Sequence, residues 1–369
     1  MSQPTRVAVL LGGKSAEHEV SLQSAKNVIE AVDRTRYEPV PIGIDKEGGW
    51  HLCDPSGYLD HADDPKRIRL RLHTGDRLAL VPGRPGHPFV RLSTRDSIGT
   101  VDVVFPVLHG PLGEDGTVQG LLEMADVAYV GAGVLGSSVG MDKAVMKRLL
   151  MDAGIPVARY RTAAWHEKDR LDFDEIRGEL GLPLFVKPAN LGSSVGVSKV
   201  DDRAGFERAV DDAFRFDNRI LVEESIQGRE IECSVLGNEA PEASVAGEIL
   251  PRHEFYSYEA KYIDENGAGL VIPADIPPQA LDLVQRRAIE AFRALWCEGM
   301  ARVDCFLQEN GEVVINEINT IPGFTRISMY PKLWDATGLP YPELIHRLIR
   351  LAMERHEREK ALETSYSFT

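Results

Sequence analysis

The segment from Arg302 to Asn319 constrains the chain most. Two alternating stretches, Arg302-Val-Asp304-Cys-Phe-Leu307 and Val313-Val-Ile-Asn-Glu317-Ile-Asn319, flank Glu309-Asn310-Gly311-Glu312, and Asn-Gly is the strongest short-range hairpin signal. With Asn310 and Gly311 as a two-residue turn, Asp304 falls opposite Glu317 and Arg302 opposite Asn319, and strand alternation places all four on one face. Facing carboxylates about 5 Å apart repel by about 3 kcal/mol at an effective dielectric near 20. A cation would remove that cost. The candidate donors are all oxygens, from Asp304, Glu317 and the amide of Asn319, which favours Mg2+ or Mn2+ over zinc. The alternative is a solvated hairpin face on which Arg302 offsets the acids.

Elsewhere the pattern is that of an α/β chain with several cores. The opening reads strand (Arg6 to Leu11), glycine turn (Gly12-Gly13), then a helix with apolar Val20, Ala25, Val28, Ile29 and Val32. Further strands are predicted at Glu38 to Ile44, Val101 to Leu108 and Val127 to Val130, which together make a small, mostly parallel sheet with helices. Residues 46–100 are polar and rich in Gly and Pro, and are expected as hairpins and loops on this first unit. A helix from Asp142 to Ala153 ends at Gly154 with Pro156 beyond, the usual order of stop signals. After it come strands at Leu184 to Lys187, Val195 to Val200, Arg219 to Val222 and Glu230 to Leu236, with helices at Ala204 to Ala213, Pro278 to Leu295 and Tyr341 to Arg355. The charged tail from Glu354 to Thr369 is expected to fray.

Charge narrows the function. A net charge of −15 opposes the general basic field that nucleic acid or anionic lipid requires, though a local cationic pocket is compatible with it. No stretch approaches the ~20 apolar residues of a membrane span, and Met1 to Leu11 lacks a signal-peptide core. A cytoplasmic location is expected. Cys53, Cys233, Cys297 and Cys305 are scattered and read as reduced thiols rather than disulfides or a zinc site.

Lys187-Pro-Ala-Asn-Leu-Gly192-Ser193-Ser194-Val-Gly196 lies between two strand-like runs. It lacks the following helix of a dinucleotide fingerprint and the G-x-x-x-x-G-K-[ST] of a P-loop. Two readings stay open: a plain turn, or a flap whose backbone N–H groups and serine hydroxyls close over phosphates. Lys187, and Lys143 at the start of the Asp142 helix, could supply the positive charge such a flap needs, or could be ordinary surface lysines.

These residues resemble a known family. Leu11-Gly-Gly-Lys-Ser-Ala-Glu17-His-Glu-Val-Ser21, His109-Gly-Pro-Leu-Gly-Glu114-Asp115-Gly through Gly120, Met141-Asp-Lys143, Val186-Lys187-Pro through Gly196, Tyr258-Glu-Ala-Lys261-Tyr262, Arg302-Val-Asp304 and Asn316-Glu317-Ile-Asn319-Thr-Ile-Pro322-Gly323-Phe-Thr are similar, in order, to the D-alanine-D-alanine ligases of the ATP-grasp superfamily. The resemblance implies a three-domain ATP-grasp fold, with an N-terminal open, mostly parallel domain at 1–138, a central domain at 139–222 and a C-terminal catalytic domain at 223–369. It also implies a homodimer whose substrates are ATP and D-alanine, joined through a D-alanyl phosphate for peptidoglycan precursor synthesis.

Position by position, the resemblance gives Lys143 and Lys187 to the ATP phosphates, and Glu223 and Glu230 to the adenine edge and ribose. Ser194, Glu224, Ile226 and Lys261 join the nucleotide set. Asp304, Glu317 and Asn319 would bind two Mg2+ (or Mn2+). Arg302 and the N–H of Gly323 would stabilise the oxyanion when the second amine attacks. Glu17 would hold the first ammonium, linked to Ser193 and Tyr262; read without the family, it is a helix-start residue offsetting the dipole. Ser328, with Met329 beside it, would take the second carboxylate, where an ordinary serine would be a helix cap. His109 is either a core histidine or helps to position the acceptor. The Lys261-Tyr262 pair implies an amine acceptor rather than D-lactate. Outside the family, the same pocket would suit a nucleotide-binding regulatory module, against which the complete set of Arg302 and carboxylates argues.

Overall fold

A computed structural model describes residues 3–72, 76–192, 195–251 and 268–365. The strand Thr5–Gly12 is buried from Val7 onward, as a central strand of a parallel sheet should be. It pairs in parallel with Tyr37–Ile44 on one side and Val103–Pro106 on the other, and Ala128–Tyr129 continues the sheet beyond Val103–Pro106. The polar stretch after residue 46 forms the expected hairpins and also builds the main sheet. Trp50–Leu52, Arg77–Leu80 and Phe89–Arg91 extend the same sheet in antiparallel fashion, and Leu59–Asp60 pairs with Arg69–Leu70 as a separate ribbon.

One face of this sheet packs Val7, Val9, Val103 and Phe105 against Leu22, Val28 and Ile29 of the helix His18–Ala31. The same cluster takes in Leu344, Ile345, Leu348 and Ile349 of the last helix, Tyr341–Lys360. On the opposite face Ala8, Leu10 and Val104 meet Val118 and Leu122 of the helix Thr117–Met124. The expectation that the chain frays from Glu354 is corrected here: the helix runs to Lys360. Arg355 is buried, and its guanidinium donates to the carbonyls of Gly131 (2.5 Å) and Tyr129 (2.9 Å) and lies 4.3 Å over the Tyr129 ring. The charge run misled because Arg355 continues the stripe of Leu348 and Ala352 at helical spacing, so one of its cations points inward and finds carbonyl partners.

The second sheet, ordered Tyr160–Ala164, Arg219–Glu224, Leu184–Pro188, Ser198–Val200, is antiparallel throughout. It is entered from the helix Lys143–Asp152, whose N-cap Asp142 accepts from the N–H groups of Ala144 and Val145, worth about 1 kcal/mol. The third sheet runs Ala268–Val271, Glu242–Pro251, Arg229–Gly237, Gly299–Leu307, Val313–Asn319 among the described residues. Val284, Ala288, Ala291 and Phe292 of the helix Pro278–Ala294 back it. All four cysteines are buried thiols without disulfides. Among the described residues no helix is long and apolar enough to cross a membrane.

The key hairpin reaches its expected pairing by a different path. Near the turn, Leu307 faces Val313, Phe306 faces Val314 and Cys305 faces Ile315. The connection is therefore the three-residue kind, Glu309-Asn310-Gly311, closed by a bond from Gln308 N–H to the Glu312 carbonyl, with Gly311 left-handed at φ +82°. That shifts the register by one residue. Asn316 then stands as an extra residue in the second strand, and beyond this bulge Asp304 faces Glu317 and Arg302 faces Asn319. Without the bulge, Asn316 would occupy the place of Glu317.

Candidate active site

Between the second and third sheets lies a cavity of about 240 Å3, lined among others by Lys143, Lys187, Glu223, Glu230, Asp304 and Glu317. Three neighbouring strands of the third sheet each contribute a carboxylate to one row, Glu232 facing Asp304 and Asp304 facing Glu317. Such a row requires positive charge, and two groups from different elements provide it. Arg302 Nε is 2.9 Å from Glu232, and the guanidinium grips Asp304 through Nε and Nη2 at 2.7 and 2.8 Å. Lys143 Nζ approaches Glu317 at 3.4 Å and donates to the Leu191 carbonyl at 2.7 Å.

Asp304, Glu317 and Asn319 thus stand together as expected, with the Asn319 amide donating to Asp304 at 3.0 Å. No group of three or more His, Cys, Asp or Glu is arranged to hold a metal among the described residues. The set is instead two carboxylates and one amide, whose oxygen and nitrogen exchange on a half-turn. It suits magnesium, which retains waters and takes phosphate oxygens rather than demanding a full protein cage.

At the other end of the cavity, Glu223 is buried between two ammonium groups, with Lys187 Nζ 2.5 Å from one carboxylate oxygen and Lys147 Nζ 3.2 Å from the other. Burial alone would raise this carboxyl, but the two lysines outweigh it and bring the pKa down to about 2. Burial pushes the Lys147 ammonium in the opposite sense, below its usual range, against the pull of Glu223. Lys187 also lies 3.4 Å from Asn316 Oδ1, so the bulged residue connects the two ends of the cavity. Glu224 is tied to Arg159 at 2.6 Å, and with Ile226 and Glu230 it lines the same wall.

Glu17 occupies the N-cap of the helix His18–Ala31 and makes no side-chain cap bond there. The carboxylate is buried and extends over Gly110 toward Gly192: a Cβ at Gly110 would lie 2.5 Å from Glu17 Oε2, and one at Gly192 3.7 Å from it. Ser193, the next residue, and Ser194, Lys261 and Tyr262 lie outside the described residues.

His109 is a core histidine by burial. Its ring nitrogens meet Ser24 Oγ at 3.0 Å and the Ile321 carbonyl at 3.1 Å, with Glu114 at 3.7 Å. Burial lowers its pKa, but Glu114, with help from Glu17 and the Ile321 carbonyl, outweighs it and the net shift is upward. Glu114 itself is raised, chiefly by burial. Ser24 also accepts from the Phe324 N–H at 3.3 Å. His109 and Ser24 therefore pin both flanks of the turn that carries buried Gly323. Ser328 is the N-cap residue of the helix Met329–Ala336, but its hydroxyl makes no cap bond and instead engages Thr325, 3.0 Å from its N–H and 2.7 Å from its hydroxyl. Met329 is buried with Ile249 and Leu333.

Three residues of this site escaped the sequence reading. Lys147 was readable from its i, i+4 spacing to Lys143 on one helix face. Glu232 was readable from its alternation with Glu230. Asn316 carried no signal, because a bulge has no dependable one.

Two antiparallel sheets closing on one cavity, with Lys187 on the first, Lys143 on the helix leading into it and a carboxylate row on the second, define the ATP-grasp fold, and solved structures agree. The D-alanine-D-alanine ligase from Coxiella burnetii matches with a TM-score of 0.85 at 41% identity, covering 98% of this chain and 97% of that one. The VanG D-Ala:D-Ser ligase from Enterococcus faecalis matches at 0.82 and 35% identity, covering 95% and 100%. Family profiles described as D-ala D-ala ligase N-terminus and D-ala D-ala ligase C-terminus match residues 6–132 and 149–350. The curated D-alanine--D-alanine ligase of Oceanobacillus iheyensis is 54% identical over 362 residues, 98% of this chain and 99% of that protein. D-alanine--D-alanine ligase A of Salmonella typhimurium is 55% identical over 360 residues, 98% and 99%. The chain belongs to the D-alanine-D-alanine ligase family, and it is a ligase.

Proposed function

We propose that the protein joins two D-alanines to D-alanyl-D-alanine at the expense of ATP, with release of ADP and phosphate, as a cytoplasmic homodimer that supplies a peptidoglycan precursor. The observation that carries this reading is the opposition of Lys143 and Lys187 to Asp304 and Glu317 across one cavity, with Glu17 reaching the flap end of it. A carboxylate is a poor electrophile, so the first D-alanine must take the γ-phosphoryl group and become an acyl phosphate before an amine can displace phosphate.

Glu17 holds the ammonium of that first D-alanine. Lys143 and Lys187 leave Glu317 and Glu223 for phosphate oxygens, and Glu223 and Glu230 take the adenine edge and the ribose, beside Glu224 and Ile226. Asp304, Glu317 and Asn319 would hold Mg2+ (two ions) or Mn2+, which would supply positive charge to offset that on phosphate oxygens. Arg302, relieved of Asp304 but still braced by Glu232, and the N–H of Gly323 face the oxyanion formed when the second amine attacks. Ser328 takes the carboxylate of the second D-alanine, while His109 fixes the Gly323 turn. Ser193, Ser194, Lys261 and Tyr262 complete the closure that excludes water. The domain limits 1–138, 139–222 and 223–369 go with this reading, with the last helix packed back on the first sheet.

ADP release measured with D-alanine, D-serine, D-lactate and L-alanine tests the assignment. D-alanine alone should stimulate turnover and yield a dipeptide. Failure of D-alanine to do so sinks the proposal, and preferential use of D-serine as acceptor, for which the Enterococcus faecalis relative is named, would reassign the second site. Retained turnover in Asp304→Ala or Glu317→Ala would count against the metal set.

A further inference from the structure

Lys147 stands out among the charged residues that the mechanism does not use. Its side chain is fully buried, and a lone ammonium is among the groups least often placed there. It projects from the helix Lys143–Asp152 one turn after Lys143, 3.2 Å from Glu223 Oε1 and 5.6 Å from the centre of the Tyr160 ring. Tyr160 faces Glu223 across the neighbouring strand, and Phe185 faces it from the other side. Glu223 is thus walled by two aromatic residues and capped by two lysines. The lysines differ in freedom. Lys187 lines the cavity beside Asn316 and can turn toward a phosphate, whereas Lys147 is enclosed and has only Glu223 as an acidic partner among the described ion pairs.

That difference has a consequence on nucleotide binding. When Lys187 turns to phosphate, Glu223 loses the closer of its two counter-charges while still buried, and an isolated buried carboxylate takes up a proton or rearranges. A protonated carboxyl has one oxygen that donates, and it no longer accepts well from an amine. We propose that Lys147 is a positioning residue for the nucleotide: it acts through Glu223, as the fixed counter-charge that keeps this carboxylate an acceptor for the exocyclic amine of adenine after Lys187 has left. The proposal rests on the reading that Glu223 takes the adenine edge.

The test compares ATP with purine riboside triphosphate, which lacks the exocyclic amine, as substrates of the full-length enzyme. A hydrogen bond to a charged acceptor predicts a wild-type preference for ATP in kcat/KM of roughly tenfold or more. In Lys147→Met the preference should collapse toward unity, with KM for ATP rising about tenfold and kcat changing much less. Glu223→Gln supplies a neutral acceptor that needs no counter-charge, so adding Lys147→Met to it should change the preference by less than about twofold. A Lys147→Met enzyme that keeps the ATP preference overturns the proposal, as does a loss of equal size in the Glu223→Gln background. If Glu223→Leu leaves the wild-type preference intact, the adenine reading itself fails, which is a separable result. Should Lys147→Met not fold, Lys147→Arg is compared with Lys147→Gln, and equal preferences in that pair overturn the proposal.

Discussion

Substitution of Gly110 by alanine tests the placement of Glu17 without touching Glu17 itself. Gly110 sits at φ +75°, where an L residue is strained by about 1–2 kcal/mol. Its new Cβ would also lie 2.5 Å from Glu17 Oε2 and 2.8 Å from Ser15 Oγ, against ordinary contact from 3.4 Å upward. The carboxylate must therefore withdraw by about 1 Å, enough to forfeit much of a packed contact and of a charge-assisted bond. Loss of such a bond to a substrate ammonium is worth about 1.5–3 kcal/mol, or roughly 10- to 150-fold in the D-alanine KM of the first site. KM for ATP should stay within about twofold, because Glu17 lies away from the adenine end. Initial rates of ADP release, with D-alanine varied at saturating ATP and the reverse, measure both quantities. Gly83→Ala is the control: it has a comparable φ of +77° but nothing within 4 Å of its built Cβ, so it should lower stability by a similar backbone term with no kinetic effect. A folded Gly110→Ala enzyme with an unchanged D-alanine KM, or with both KM values raised equally, refutes the role given to Glu17.

The depressed pKa of Glu223 means that its contribution to stability is complete above about pH 4.5 and is lost as pH falls toward about 2; Glu223→Gln should remove on the order of 3 kcal/mol from the acid dependence of unfolding, read by denaturant melts across that window. Arg355→Met removes two bonds to backbone carbonyls and a ring contact, and should cost about 2–4 kcal/mol in urea unfolding with unchanged KM values. Burial pushes the Cys53 thiol up to about 11 and those of Cys233 and Cys297 up to about 12. An aromatic disulfide reagent at pH 8 should therefore leave the native thiols almost untouched and titrate all four after denaturation.

What could be read in the sequence tracks where local rules apply. Val7 to Leu11 is continuously apolar and became the centre of a parallel sheet, and Asp142 before an apolar-periodic run became a helix cap. The Asn-Gly rule placed Asp304 opposite Glu317 although the turn is one residue longer than that rule gives, because the Asn316 bulge restores the register. That pairing was correct through two departures that cancel, neither of which the sequence displays. Polar composition pointed to hairpins between Trp50 and Arg91 but concealed that three of the five strands there extend the main sheet, since an antiparallel extension at a sheet edge needs only one apolar side. Lys147 and Arg355 were overlooked for a shared reason: a cation reads as solvent-facing until the partner that neutralises it is known, and Glu223 and the Gly131 carbonyl are remote in sequence.

The packing of the last helix on the first sheet bears on how the chain is made. Val7, Val9, Val103 and Phe105 emerge from the ribosome early, whereas Leu344, Leu348 and Ile349, which share their core, follow roughly 240 residues after Phe105. At 5–20 residues per second that gap is about 10–50 s. Throughout it, the helix His18–Ala31 and the segment with Tyr58, Leu59 and Ile68 cover that face without the last helix, and part of the apolar sheet stays open to any hydrophobic surface in the cell. The nascent protein would then depend on a holding chaperone that a finished chain no longer needs, and a chain stopped short of Tyr341 would stay in that condition.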